Sequence, residues 1–185
     1  MKLRLQCKNL KIKIRYSKKL DINKLKGEQV SMSIRKSCII LRRLKTTVTI
    51  YNHSPHTIHV TGITRQEQID EFLRYLLMSL KQSPVEYKVD NSMFSCKMNN
   101  DIDLKRLVNK LPEQAPYYCV YERTIFPAIF FKPKKTFKTE RYPTILIFRS
   151  GSFLLLGGTS VDIVRKAAEF VKTLIQSPID SKSKS

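Results

Sequence analysis

The sequence predicts an α+β fold in which one order of elements is written twice. Period-two alternation marks strands, two long amphipathic stretches mark helices, and two groups of residues recur at fixed spacings along the chain.

The first copy opens with "LQCKNLKIKIRY" (5–16), where Leu10, Ile12, Ile14 and Tyr16 alternate with polar and basic residues, as in a strand with one buried face. "KLDINKLKG" (19–27) predicts a short helix stopped at Gly27. "SCIILRRL" (37–44) and "TTVTIYN" (46–52) predict a hairpin, and "HTIHVTG" (56–62) a further strand. "TRQEQIDEFLRYLLMSLKQ" (64–82) predicts a long helix with Thr64 and Glu67 as a capping box; Ile69, Leu73, Leu76, Leu77 and Leu80 form its apolar face.

The second copy follows the same order. "YKVDNSMFSCKM" (87–98) reads as a strand and "DIDLKRLVNKL" (101–111) as a helix capped by Asp101. "FPAIFFK" (126–132), "TILIF" (144–148) and "SFLLLGG" (152–158) read as strands, and "SVDIVRKAAEFVKTLIQ" (160–176) as the closing helix. Asn9, Leu20, Asp21, Ile22 and Leu25 recur as Asn91, Ile102, Asp103, Leu104 and Leu107, each 82 residues later. Leu80 to Pro84 recur as Leu174 to Pro178, 94 residues later. These registers place a first repeat at 1–84, a second at 85–177 and a flexible tail at 178–185. A long helix covers one face of an antiparallel sheet in each copy and leaves the other open.

Composition narrows the partners. The formal net charge is +20 and the pI about 10, which favours a polyanion. Residues 1–84 hold 18 basic and 5 acidic side chains, against 17 and 10 in residues 85–185, so the excess is concentrated in the first copy. Cys7, Cys38, Cys96 and Cys119 form no C-x-x-C pair or zinc pattern, and are expected to be buried thiols of an intracellular, soluble protein. His53, His56 and His59 have no carboxylate or cysteine at ligand or triad spacing, and no Walker or Rossmann glycine pattern occurs. The expectation is therefore a protein that is not an enzyme, with no cofactor, no metal, no small-molecule substrate and no membrane partner.

The stretch "IFPAIFFK…TILIFRSGSFLLLGG", together with the strand Asn of each copy, resembles the core of the TATA-binding protein family. The resemblance covers nearly all of 5–177 and is most specific in the second half. It implies a two-repeat saddle, a curved sheet of ten antiparallel strands with four helices on the convex face. The concave face would sit on the minor groove of double-stranded DNA, with basal transcription factors and RNA polymerase as partners. Asn9 and Asn91 resemble the family's central pair of base-contacting asparagines. Phe126 and Phe148 match the pair that pries open a base step, the device by which minor-groove architectural proteins bend DNA. Lys132 falls where the family has a phosphate-contacting basic residue, Arg43 falls at the equivalent place in the first copy with Arg42 beside it, and Arg149 sits in the turn after Phe148.

The first copy departs from that pattern. Ser37 and Tyr51 stand in the places of the two phenylalanines, Lys11 where the family has valine, with Met93 as its mate, and Leu156 opposite the retained Thr61. Its surface is thus more cationic and less apolar, which relaxes specificity. The resemblance implies a nuclear protein, or, given the eroded first copy, one from a fast-evolving lineage such as a large DNA virus, acting at its cytoplasmic replication site. The basic stretch 132–143 reads equally as a phosphate-tracking hairpin, a localisation signal or a plain loop. Two other classes stay open: an interaction adaptor that has lost sequence-specific DNA binding, and a basic structural protein.

Overall fold

The computed structural model describes residues 4–25, 30–134, 142–158 and 160–177. The Gly27 stop, most of the basic stretch (135–141) and the tail 178–185 lie outside the described residues. Among the described residues there are ten strands, three α-helices and one 3-10 turn. Two compact units share them. One spans Cys7–Ser92, and the other runs from Met93 onward and also takes the first residues of the chain, through Gln6.

The first unit contains β1 (Gln6–Arg15), a 3-10 turn (Ile22–Leu25), β2 (Val30–Ile34), β3 (Cys38–Arg43), β4 (Thr46–Tyr51), β5 (Thr57–Ile63) and α1 (Gln66–Leu80). Its antiparallel strands lie in the order β2-β3-β4-β5-β1. Alternation sends Ile12 and Ile14 of β1, Leu41 of β3, Val48 and Ile50 of β4, and Ile58 and Val60 of β5 to one side. There they are buried with Ile69, Phe72, Leu76 and Leu80 of α1. Phe72 holds a core position of α1 that the sequence pattern assigned to Leu77, which is 45% exposed. The buried residues 69, 72, 76 and 80 follow the helical period, and Leu77 lies about 100° round the axis from Leu76.

The second unit contains β6 (Glu86–Lys97, whose first residues belong to the other unit), α2 (Leu104–Val108), β7 (Tyr117–Val120), β8 (Ala128–Pro133), β9 (Thr144–Phe148), β10 (Ser152–Leu156) and α3 (Val161–Gln176). The order is β7-β8-β9-β10-β6, the same order in the second set of strands. Ile129 and Phe131, Ile145 and Ile147, and Phe153 and Leu155 are fully buried, as are Val164, Ala167 and Val171 of α3. Tyr117 of β7 lies 5.4 Å from the Phe170 ring of α3 and 6.3 Å from Phe131.

β2 and β7 escape the sequence reading. Each is short, pairs on one side only in the order above, and β2 carries two serines. Two caps also differ from expectation. α1 is started by Gln68, whose Oε1 accepts from the Thr64 N–H at 2.9 Å and the Arg65 N–H at 3.1 Å, in place of a Thr64–Glu67 box. α2 is capped by Asp103, which accepts from Arg106 N–H at 3.1 Å, not by Asp101. The repeat equivalent of Asp103, Asp21, accepts from Asn23 N–H at 3.2 Å, so the duplicated aspartate starts both short helical segments. The helix predicted over 19–27 is confined to the 3-10 turn. Cys38 and Cys96 are buried as expected, whereas Cys7 and Cys119 are only half-buried.

Strand register gives residue-by-residue equivalence between the units. Val60 pairs with Ile12 and Val48, as Leu155 pairs with Phe94 and Ile145. The same steps match Tyr51 to Phe148. Because Cys38 pairs with Tyr51 and Ala128 with Phe148, Cys38 matches Ala128 and Arg42 matches Lys132. The place of Phe126 is then taken by Lys36, one residue before the Ser37 expected from sequence.

The β1–β5 register slips between Leu10 and Ile12, where β5 holds an extra residue at Gly62. Gly62 has φ +91°, and a Cβ there would sit 2.0 Å from the Lys45 carbonyl oxygen. Its repeat equivalent, Gly157, has φ +95°. Gly62→Ala should therefore destabilise the chain by about 1–3 kcal/mol, from φ strain and the backbone clash together. Urea unfolding reads this as a lower midpoint with unchanged slope, and a loss below about 0.5 kcal/mol would contradict the assigned bulge.

Candidate nucleic-acid interface

The faces opposite the helices differ sharply in chemistry. In the first unit, β1 presents Asn9, Lys11 and Lys13, β5 presents His59 and Thr61, β4 presents Thr47, Thr49 and Tyr51, and β3 presents half-buried Ile40 and exposed Arg42, so the face is polar and cationic apart from Ile40. In the second unit the equivalent face carries Met93 and Ser95, Leu154 and Leu156, Thr144, Leu146 and Phe148, and Phe130 and Lys132. One scaffold thus bears a polar, cationic face in one copy and a largely apolar one in the other.

Asn9 is held by the bulge: its Oδ1 accepts from the Gly62 N–H at 2.7 Å. Asn91 is exposed, and its Oδ1 accepts from Ser92 N–H at 2.9 Å. With each carbonyl oxygen turned to a backbone donor, both side chains have their Nδ2 hydrogens left to offer. Donors are the groups that suit minor-groove acceptors.

Lys11 is less available than its sequence position implies. Its Nζ lies 3.0 Å from the Asp90 carboxylate, and that hydrogen bond holds Asp90 below the usual carboxylate range. Beside it, Tyr51 stacks on His53 with centroids 5.4 Å apart and meets His59 edge-on at 5.4 Å. Burial, then the charge of Lys11, pushes the His59 pKa down, so its imidazole is neutral at pH 7.

Arg42 and Arg43 part company. Arg42 is exposed on the open face opposite Thr47. Arg43 shares the helix side with Leu41, and its guanidinium sits 4.5 Å over the Tyr75 ring of α1. Period two cannot put adjacent residues on one face, so Arg43 leaves the candidate set.

In the second unit the two candidate wedges meet. Phe126 lies 6.2 Å from Phe148 and 5.2 Å from Phe130, centroid to centroid. Phe126 precedes β8 rather than belonging to it. Its N–H donates to the Glu122 carbonyl at 3.0 Å in a turn, and its side chain is 37% exposed. Phe130, like Phe131 and Phe153, is given no role by the sequence pattern. The buried Phe131 beside it fixes the alternation that turns Phe130 outward. Lys132 is exposed on the same face, with Nζ 5.9 Å from the Phe130 ring. Arg149 is exposed in the β9–β10 turn, 3.9 Å from Asp101.

Comparison with known proteins fits this layout. The profile of the family "Transcription factor TFIID (or TATA-binding protein, TBP)" matches residues 86–177. Those residues are a TATA-binding-protein domain. The TATA-box-binding protein-like 1 of Entamoeba histolytica is 33% identical over 91 residues, 49% of this chain and 38% of that protein. The chain therefore matches well under half of its curated relative's length. Methanococcus jannaschii TBP superposes with a TM-score of 0.72 at 16% identity, covering 94% of this chain and 98% of that one. The α+β TBP fold thus extends over both copies. The family profile begins at residue 86 and so covers the copy with the apolar face.

The TBP-domain aromatics divide into core and surface. Phe131→Ala should cost about 3–5 kcal/mol, as for a buried aromatic. Phe126→Ala, outside the strand and partly in water, should cost roughly 1 kcal/mol by its smaller buried area. Comparable losses for the two variants in denaturant unfolding would place Phe126 in the core.

Proposed function

We propose that this chain binds the minor groove of double-stranded DNA and bends it, as an initiation factor of the TBP class. The observation that carries the reading is the Phe126–Phe130–Phe148 cluster, held at the edge of an uncovered sheet face in the TBP-domain copy. An apolar wedge of this kind partly unstacks a base step and gains contact with the bent duplex. The +20 charge supplies attraction to phosphate, with Arg42, Lys132 and Arg149 exposed to meet it. Asn9 and Asn91 offer amide donors to base acceptors. Basal transcription factors and RNA polymerase are the partners this role calls for, in the nucleus or at a viral replication site.

The two copies would then act unequally. Where the second has Phe126 and Phe148, the first has Lys36 and Tyr51. A lysine cannot wedge between bases, and burying the tyrosine hydroxyl there without a partner is costly. The duplex is thus kinked by the second copy alone. An adaptor that merely keeps the fold would not need a clustered, partly exposed aromatic triplet on its open face.

Fluorescence energy transfer between labelled duplex ends tests this. Phe126→Ala and Phe148→Ala should each reduce the bend, and Lys36→Phe should enlarge it. Arg42→Ala should flatten the salt dependence of affinity by about one unit, as for one lost phosphate contact. Arg43→Ala should leave that slope unchanged. Parental bending by both phenylalanine variants would sink the wedge assignment.

A further inference from the structure

We propose that the two faces accept different base pairs: the second copy is confined to A·T, while the first accepts G·C through the amino group that guanine places in the minor groove. The inference rests on the DNA-binding reading above and adds which base pairs each copy takes. A·T and T·A show only acceptors in that groove, whereas G·C adds the N2 amino donor. What a protein sets against the groove floor therefore decides whether guanine is tolerated.

On β4 and β5 of the first unit, Thr49 pairs with His59 and Thr47 with Thr61, forming a two-by-two patch. On β9 and β10 of the second, Leu146 pairs with Leu154 and Thr144 with Leu156 in the equivalent patch. Three of the four positions change from a hydrogen-bonding side chain to leucine. A leucine offers no acceptor, and a guanine amino group pressed against it loses water without gaining a partner. A threonine hydroxyl has both a donor and lone pairs, so it serves A·T acceptors and the guanine donor alike. Neutral imidazole likewise keeps one acceptor nitrogen.

The neighbours reinforce the contrast. The first patch is flanked by the Lys11–Asp90 pair and by Tyr51, whose hydroxyl is a further acceptor. The second is flanked by half-buried Met93 and by Phe148. Every change between the equivalent patches is towards hydrogen-bonding capacity in the first copy. The core residues behind them, Val48 and Val60 against Ile145 and Leu155, stay aliphatic. The divergence is in the face and not in the scaffold.

The test uses duplexes in which guanine is replaced by inosine, which lacks the N2 amino group and leaves the major-groove edge unchanged. One half of the site is A·T and the other holds G·C pairs. For the full chain, inosine in the G·C half should weaken binding about three- to tenfold, the effect of one lost hydrogen bond. In a site with G·C in both halves, inosine in one half should instead strengthen binding. Thr49→Leu with His59→Leu, checked for parental fold by circular dichroism and melting, should reverse the preference, so that inosine in the G·C half binds more tightly than guanine. If the parental protein binds duplex but ignores inosine and favours A·T in both halves, the proposal is overturned and DNA binding stands. If no duplex is bound under any composition, both fall together.

Discussion

The constraint on which the rest depends is the alternation of side chains across a paired strand. Each copy supplies one long amphipathic helix, and that helix covers one face of its five strands. α1 takes Ile12, Ile14, Leu41, Val48, Ile50, Ile58 and Val60, and α3 packs by Phe170 against Tyr117 and Phe131. Every intervening residue is turned to the uncovered side. The interface is therefore set by the core: once Phe131 is buried, Phe130 and Lys132 must face out, and once Leu41 is buried, Arg42 faces out and Arg43 does not. Register turns this into position. The slip at Gly62, where Asn9 bonds the Gly62 amide, fixes which residues of β1 and β5 stand side by side.

The two copies show what such a scaffold preserves and what it releases. Core positions exchange one aliphatic or aromatic group for another, as Val60 for Leu155 and Leu41 for Phe131. Open-face positions exchange polar for apolar, as Lys11 for Met93, His59 for Leu154 and Tyr51 for Phe148. Packing penalises a wrong volume or a buried polar group in the core, whereas the uncovered face answers only to its ligand. The unequal faces, on one strand order, show a duplicated scaffold whose core is held while its open face diverges.

Most of the architecture was legible in the sequence because period two and the amphipathic stretches are strong signals. The strands of Leu10–Tyr16 and Thr144–Phe148 and the closing helix from Ser160 needed nothing else. The edge strands β2 and β7 were not seen, since four or five residues with serines or tyrosines give little contrast between faces. Cap identity failed where two acceptors compete within a turn: Gln68 and Asp103 reach the free amides, while Glu67 and Asp101 do not. On the open faces, the motif had singled out Asn9, Asn91, Phe126 and Phe148 as candidates. Two assignments slipped by one residue, Ser37 for Lys36 and Arg43 alongside Arg42, because gaps between the copies hide strand register, which only the pairing of Cys38 with Tyr51 reveals. Phe130 could have been found, since alternation from either neighbour in "AIFFK" places one phenylalanine inward and the other outward.

The claim that the uncovered face seats in the minor groove is tested most directly by competition. A small molecule that fills the A·T minor groove and makes no major-groove contact is titrated against the complex of the full chain with labelled duplex. The account predicts displacement at concentrations that saturate the groove, while methylation of guanine N7 in the major groove leaves binding intact. Retention of the protein on a groove-filled duplex, or its loss on major-groove methylation alone, would contradict it.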